Sequence, residues 1–495
     1  MTPLVLGWLA CSGVAEARDL TLRDALGQAT QTNLELASGR RDNRIAELGL
    51  ASARSGFDPN LSVNARTGGS QTPTNNAFDG DTVVTSSSRS VGASLNQALP
   101  TGGNVNVGYS ESFSTSDSAN ASSNQFVSTG LNVGVSQPLL SGAGFRAGLQ
   151  RVDNARLALA SRELAWRAQL EGLVIDVAEA YWGLVQARQA RAQADRAVAR
   201  SEDQLRQTEE RQAAGFAGSG DVLRVRVSLG TSQQQQVSAV ASEEQAEDRL
   251  ARVLGLSLTS GGDLSLTDRP VVPESLPERD AMLETARNAN VTLLQADLTL
   301  EQSVRNARLA RNGALPNLSL DGNAGVSAGD PAASIARSQL TTEPAPFWSV
   351  GVSTSLPLFL RSTRAEYGMA QLRVEQAELA REAADQDLEL SVDNALRALR
   401  RDRAGLKVAE QTLEAAEASL AAQEERLAEG RGSTRDVVEA LELLQQAEAN
   451  TLSAQIQVQL SGLRAQRVEG TLLDSLGLAQ LLAFDRRTLR QSDAR

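Results

Sequence analysis

Gly430-Arg431-Gly432-Ser433-Thr434-Arg435-Asp436-Val437 ends one long helical pattern and starts another. Glycine stops helices because it enters the left-handed region without strain, and Ser, Thr and Asp start them by accepting from free N–H groups. The same wording stands 215 residues earlier in Gly215-Phe216-Ala217-Gly218-Ser219-Gly220-Asp221-Val222, where Asp-Val again falls six places after a glycine. A turn repeated at that distance points to an internal duplication.

The flanking seams agree. Val392, Leu399, Leu406, Leu413, Leu420 and Leu427 recur every seven residues, with Ala395, Ala409 and Ala416 three places on. Val177, Leu184, Arg191, Val198, Leu205 and Gln212 hold the same register in the first half, beside Ala180, Ala187 and Ala194. This is a heptad seam with small partners, and small partners mean close helix approach. By itself the seam predicts two antiparallel coiled-coil hairpins and no pore.

Composition removes most chemistry. The chain has 495 residues, a formal charge of −12, no histidine and one cysteine, Cys11. Thiol catalysis and Cys/His metal sites lose their parts, no cofactor is expected, and the acidic balance argues against nucleic acid. Carboxylates are spread over helix faces with no pair in a cleft, so a carboxylate hydrolase is also disfavoured and no enzyme is expected. Residues 1–17 hold an apolar run from Leu4 to Ala10 and end Ala15-Glu16-Ala17, a signal-peptide pattern. Trp8 is a poor start for a lipoprotein signal around Cys11, so lipidation is not expected. No later segment reaches the ~20 apolar residues of a spanning helix, so a membrane crossing must use strands.

Such strands are legible. Leu20 to Ser55 reads as one helix ending at Gly56-Phe57-Asp58-Pro59, after which Leu61, Val63 and Ala65 alternate with polar residues. Residues 67–88 read as a long exposed loop; Val91, Ala93 and Leu95 alternate again, and Pro100-Thr101-Gly102-Gly103 is a tight turn. Strands follow over Val105–Phe113 and Phe126–Ser136, separated by a serine-rich loop, each somewhat short for a membrane by itself. Phe113, Phe126, Phe347 and Trp348 fall at the long-loop ends, where they suit an interfacial girdle; a soluble sandwich edge remains open.

Helix then runs from about Gly142 to Ala214, some 110 Å at about 1.5 Å per residue. The second half replays the first: a helix from Arg279 to Asn312, a strand at Leu315-Pro316-Asn317-Leu318-Ser319-Leu320, a loop, and a strand over Val350–Leu356. Pro316 answers Pro59 at an offset of 257, whereas Pro357 answers Pro138 at 219, so the first half carries 38 extra residues between its strands. The domain plan is 1–17 signal peptide, 18–255 first repeat with four strands, 256–277 linker, 278–477 second repeat with two strands, and 478–495 tail.

This order resembles the outer-membrane efflux protein family, the TolC-like channels. The resemblance rests on Leu20-Thr21-Leu22-Arg23-Asp24-Ala25-Leu26, on Pro138 and Pro357, and on the two Gly-to-Asp-Val turns. It implies a mainly α chain with membrane β: long antiparallel coiled-coil helices plus strands that complete a trimeric transmembrane barrel above a periplasmic helical tunnel. It also implies a homotrimer in outer-membrane lipid, a periplasmic adaptor (membrane fusion protein), an inner-membrane transporter, and passage of drugs, small molecules or exported protein. The family pattern of two strands per half makes twelve in a trimer; the extra hairpin here makes eighteen if it enters the barrel, as we expect. The alternative is a periplasmic structural coiled-coil protein without a pore.

Asp436 and Glu439 match the family positions whose carboxylates ring the tunnel entrance, while Ser433-Thr434-Arg435-Asp436 also reads as a capping box. Asp221 has Arg224 three residues on, so no second acidic ring is expected. The family's locking tyrosine and arginine are replaced by Leu427 and Gly432, and pairing of Arg431 or Arg435 with Asp221 is the substitute expected. Gly215, Gly218, Asp221, Gly430, Arg431, Gly432, Ser433, Thr434 and Arg435 are the candidates for the adaptor-facing tip.

Overall fold

The computed structural model describes residues 18–73, 83–118, 123–256, 264–272, 276–356, 359–429, 431, 433–478 and 480. The signal peptide with Cys11, Pro357, Gly430, Gly432, the side chain of Thr434 and almost all of the tail lie outside what is described. The chain folds into two compact units, and both cut across the sequence repeats: one takes residues 43–162 and 296–381, the other the remaining three segments.

The first of these units is built on a six-stranded antiparallel sheet. Its strands are β2 (Asn60–Pro73), β3 (Val83–Ala98), β4 (Asn104–Ser116), β5 (Gln125–Pro138), β7 (Asn317–Asp330) and β8 (Ala345–Ser355), in that spatial order. The strands have 11 to 16 residues, so each reaches the ~9–11 needed to cross a bilayer. The expectation of short strands is therefore corrected, as is that of a loop at residues 67–73 and 83–88; the middle of that expected loop, 74–82, lies outside the described residues. The outer parts of β2 and β3 are Ser, Thr and Gly with no apolar face to betray them, and they are held by an unbroken register from Asn60↔Asn96 to Pro73↔Val83. The β3–β4 hairpin takes the middle of the sheet, between β2 and β5. A helix, α8 (Ala333–Thr342), occupies what read as a loop between β7 and β8.

The other unit is helical. Its members are α1 (Leu22–Thr32), most of α4 (Gln150–Ala213), α5 (Ser219–Val253), α6 (Arg279–Ala289), most of α9 (Arg361–Ala428), α10 (Thr434–Glu469) and α11 (Leu472–Ser475), with a small parallel pair, β1 (Arg18–Leu20) on β6 (Leu264–Leu266). The main core gathers Leu26, Leu170, Val174, Val177, Tyr181, Trp182, Leu184, Leu250 and Ile456. The heptad seam is buried at Val392, Leu399 and Leu406 and only half-buried at Leu413, Leu420 and Leu427. Arg191, one of two polar members of the first seam with Gln212, sends Nη1 to the buried Glu243 carboxylate at 2.9 Å.

The two expected single helices at the start of each half are broken, at Asn33 and at Asn290, into α1 and α2 (Leu34–Arg54) and into α6 and α7 (Val291–Gly313). Both asparagines leave the helical region and cap the next helix, Asn33 Oδ1 accepting from Leu36 N and Asn290 Oδ1 from Leu293 N. Their Nδ2 groups donate to Val253 O and Val468 O at the ends of the return helices. Gly255 and Gly470 follow with φ +68° and +81°, and a Cβ on either would stand 2.6 Å from a carbonyl oxygen, of Thr32 or of Ala289. The offsets, 257 for the asparagines and 215 for the glycines, repeat those of the strand prolines and of the tips.

Candidate functional site

Side chains alternate across a strand, so the register sorts the sheet into two faces. One face carries Leu61, Val63, Leu95, Val107, Leu131, Val133, Val350, Val352 and Trp348, all largely exposed. The opposite face carries Ser62, Asn64, Ser94, Asn106, Ser110, Asn132, Ser136, Asn323 and Ser353 in the same rows. A water-soluble sheet hides its apolar face, and here that face is left open on all six strands except at the corner where Glu111, Val127 and Thr129 are buried. The four aromatics expected in a girdle split by parity. Phe113 and Trp348 stand on the apolar face, while Phe126 and Phe347 lie on the polar face over Gly329 and Gly325, where a Cβ would meet their rings at 2.5 and 2.6 Å.

The sheet has two free edges, β2 and β8, and every described residue of both strands is exposed. They run in opposite directions, so β8 of one copy can pair antiparallel with β2 of the next. Free edges of 14 and 11 residues would aggregate unless paired in this way.

Two devices brace the sheet. Arg337 on α8 forks onto Glu111 of β4, Nε to Oε2 at 2.9 Å and Nη2 to Oε1 at 2.6 Å, and Tyr109 donates its hydroxyl to Oε2 at 2.8 Å. Glu111 sits on the apolar face, where an unpaired carboxylate would be costly, and the fork neutralises it. At the other end, the Pro100–Gly103 turn presses on the bend after β5. Gln137 Nε2 and Gly144 N donate to Thr101 O at 3.1 and 3.0 Å, and a Cβ on Gly148 would collide with the Pro100 carbonyl.

The helical tips close alike. Phe216 N donates to Arg211 O and Arg431 N to Arg426 O, both at 2.8 Å, a six-to-one closure; Gly215 has φ +81°. Asp221 Oδ2 accepts from Gly218 N at 3.1 Å, and Asp436 Oδ2 from Ser433 N at 3.2 Å. Ser433 Oγ returns the second bond of the capping box by accepting from Asp436 N. Asp436, Glu439, Ser433, Arg431 and Arg435 are exposed, and among the described residues no ion pair joins Asp436 or Glu439 to a cation. The expected pairing of Arg431 or Arg435 with Asp221 is not the arrangement within the chain. Asp221 holds Arg224, one helical turn on, at 3.1 Å, and Arg431 holds Glu429, two residues back across the turn, so each charge is met by a near neighbour in sequence.

The two hairpins lie side by side through α4 and α10. Arg200 meets Glu442 at 2.8 Å, Arg464 meets Glu179 at 2.7 Å, and Gln186 reaches Ser453. Burial raises the Glu171 carboxyl above its ordinary value, against the pull of Arg167. Burial, then the neighbouring Glu179 charge, raises Asp176. Hydrogen bonding to Arg279 lowers Asp393. Among the described residues no cluster of His, Cys, Asp or Glu could hold a metal. The asparagine breaks, the glycine contacts and the Glu111–Arg337 fork escaped sequence reasoning, because each depends on a partner far away in sequence.

A chain with a two-faced sheet open at both edges and a pair of matched helical hairpins is a membrane-directed protein that cannot complete its sheet alone. It belongs to the outer membrane efflux protein family, whose sequence model matches residues 104–256 and 282–468. The outer membrane protein TolC of Vibrio cholerae is 26% identical over 341 residues, spanning 66% of this chain and 74% of that protein. Among solved structures, a membrane protein from Pseudomonas aeruginosa superposes with a TM-score of 0.66 at 19% identity, covering 95% of this chain and 97% of its own. The CmeC outer membrane channel of Campylobacter jejuni also gives 0.66, at 15% identity over 91% and 86%.

Proposed function

We propose that the chain is the outer-membrane exit duct of a tripartite efflux pump or type I secretion system, a passive conduit for drugs, small molecules or exported protein. Three copies pool their strands into one closed barrel, the apolar face turned to lipid and the Ser/Asn/Gly face to the lumen. The observation that carries this reading is the six-stranded sheet with its largely bare apolar face and two unpaired, oppositely directed edges. In lipid every backbone group must be paired, so such a sheet has to close on its neighbours. The two sequence repeats, 18–255 and 278–477, supply the paired helical hairpins of the periplasmic duct.

At the tips, Asp436 and Glu439 from three copies bring six carboxylates to the entrance, attracting cations, while Asp436 also caps its helix. The exposed turns, Gly215 to Asp221 and Gly430 to Arg435, meet a periplasmic adaptor that links the duct to an inner-membrane transporter. Planar-bilayer recording of the purified protein tests the reading. Cation-preferring conductance that Asp436→Asn/Glu439→Gln abolishes is expected; a folded protein that never conducts, even after the tips are loosened, supports instead a poreless periplasmic coiled coil.

A further inference from the structure

Where the sheet gives way to helix, α3 (Phe145–Gly148), the start of α4 and the end of α7 enclose a groove of about 830 Å³. Four arginines line it, Arg146, Arg305, Arg308 and Arg311, against two acids, Asp153 and Glu301. Both acids are already engaged: Arg305 meets Glu301 at 2.5 Å and Asp153 at 3.6 Å, and Arg156 takes Asp153 at 3.2 Å. Arg146, Arg308 and Arg311 are exposed and have no anionic partner among the described residues. Part of the explanation for Arg308 and Arg311 is local, since cations suit a helix C-terminus. That does not account for Arg146, which another helix brings to the same groove.

The surroundings are amphipathic. Leu139, Leu140, Phe145 and Leu315, the residues between the strand ends and the groove, are large, apolar and exposed. Apolar side chains followed at once by unpaired guanidinium groups are the signature of a membrane–water boundary, with the stems in the acyl region and the charges at the headgroup phosphates. Asn312 fixes the spacing, its Oδ1 accepting from Gly142 N at 2.7 Å and its Nδ2 donating to Leu140 O at 3.3 Å.

We infer that this groove binds the phosphate headgroup of an anionic phospholipid at the periplasmic leaflet, with Arg146, Arg308 and Arg311 as its ligands. The inference rests on the outer-membrane reading above, and each basic residue near a bilayer surface contributes enough for roughly a five-fold change in binding. The test is native mass spectrometry of the full-length protein in detergent, titrated with phosphatidylglycerol, with phosphatidylcholine and with inorganic phosphate. Phosphatidylglycerol should be retained and phosphatidylcholine not, and the Arg146→Gln/Arg308→Gln/Arg311→Gln variant should lose ten-fold or more of that retention. Arg308→Gln alone, a milder change should the triple variant not fold, should lose about five-fold. Equal retention of the two lipids, or unchanged retention in both variants, overturns the site; displacement of phosphatidylglycerol by millimolar phosphate overturns the lipid assignment in favour of a free-anion site. Planar-bilayer conductance of the variants stays at the wild-type level if only the lipid site fails, whereas failure of the duct reading removes it from the wild type as well.

Discussion

Asp436 carries two roles that substitution separates. As the third residue of its helix it accepts from Ser433 N, and Ser433 accepts in return. Ser433→Ala removes the cap and should cost about 1 kcal/mol, read as a lowered melting temperature, with ion preference unchanged. Asp436→Asn keeps an acceptor and loses the charge, so melting should shift by well under 1 kcal/mol while cation preference in bilayers falls. The reverse assignment of effects would show that Asp436 is structural only. Stability also depends on pH through single carboxylates. Arg279 lowers the Asp393 carboxyl, so the stability gained from that pair is present above the ordinary carboxylate value and is lost as pH falls through the lowered one. Glu171 runs the other way: burial raises it, so its contribution is greatest below the ordinary value and fades as pH rises through the raised one. Asp393→Asn should therefore flatten the acid limb of a melting-temperature profile below about pH 4, and a limb as steep as wild type would exclude the pair as its cause.

At the scale of elements, α8 is held to the sheet by one fork. Glu111→Gln leaves a hydrogen-bonding amide of the same shape but removes the ion pair, and Arg337→Gln strands a carboxylate on the apolar face. The second should be the worse, by about 2 kcal/mol, because a charge left unpaired on an apolar face is penalised while a neutral amide is not. Protease cleavage between α8 and β8 reads the difference; equal cleavage in both variants would mean that α8 is held by packing alone. Periodicity announced the long helices, the tips and the inner halves of the strands, because there the pattern of the residues and the structure coincide. It failed wherever the deciding contact was distant. Asn33 and Asn290 interrupt nothing in the local pattern, and their carbonyl partners stand 220 and 178 residues away. The polar stretches Thr67–Pro73 and Val83–Ser88 form strand only because they pair with each other and, for β3, with β4. Thr101 looked like a turn residue, and was; that its carbonyl clasps Gln137 depends on where β5 ends.

For the whole molecule the question is how many strands close the barrel proposed above. The β3–β4 hairpin lies inside the sheet, and a β2 rising beside a β5 descending would be joined as well without it. Three copies with the hairpin make eighteen strands and without it twelve, and barrel diameter grows nearly in proportion to strand number. Deleting residues 83–116 and joining β2 to β5 by a short loop should leave a trimer whose membrane section, seen by electron microscopy, is narrower by about one third. The helical unit should keep its width, since none of its residues is touched. Two results would count against an eighteen-stranded closure: a deletion trimer with an unchanged membrane diameter, or a full-length protein whose barrel already has the smaller one. Loss of the trimer in the deletion alone has a specific rescue, because the cut also removes the turn that covers Gly148. Gly148→Ser in the deletion background should then restore assembly by wetting the uncovered bend, and it should block assembly in the full-length chain, where the Pro100 carbonyl occupies that space.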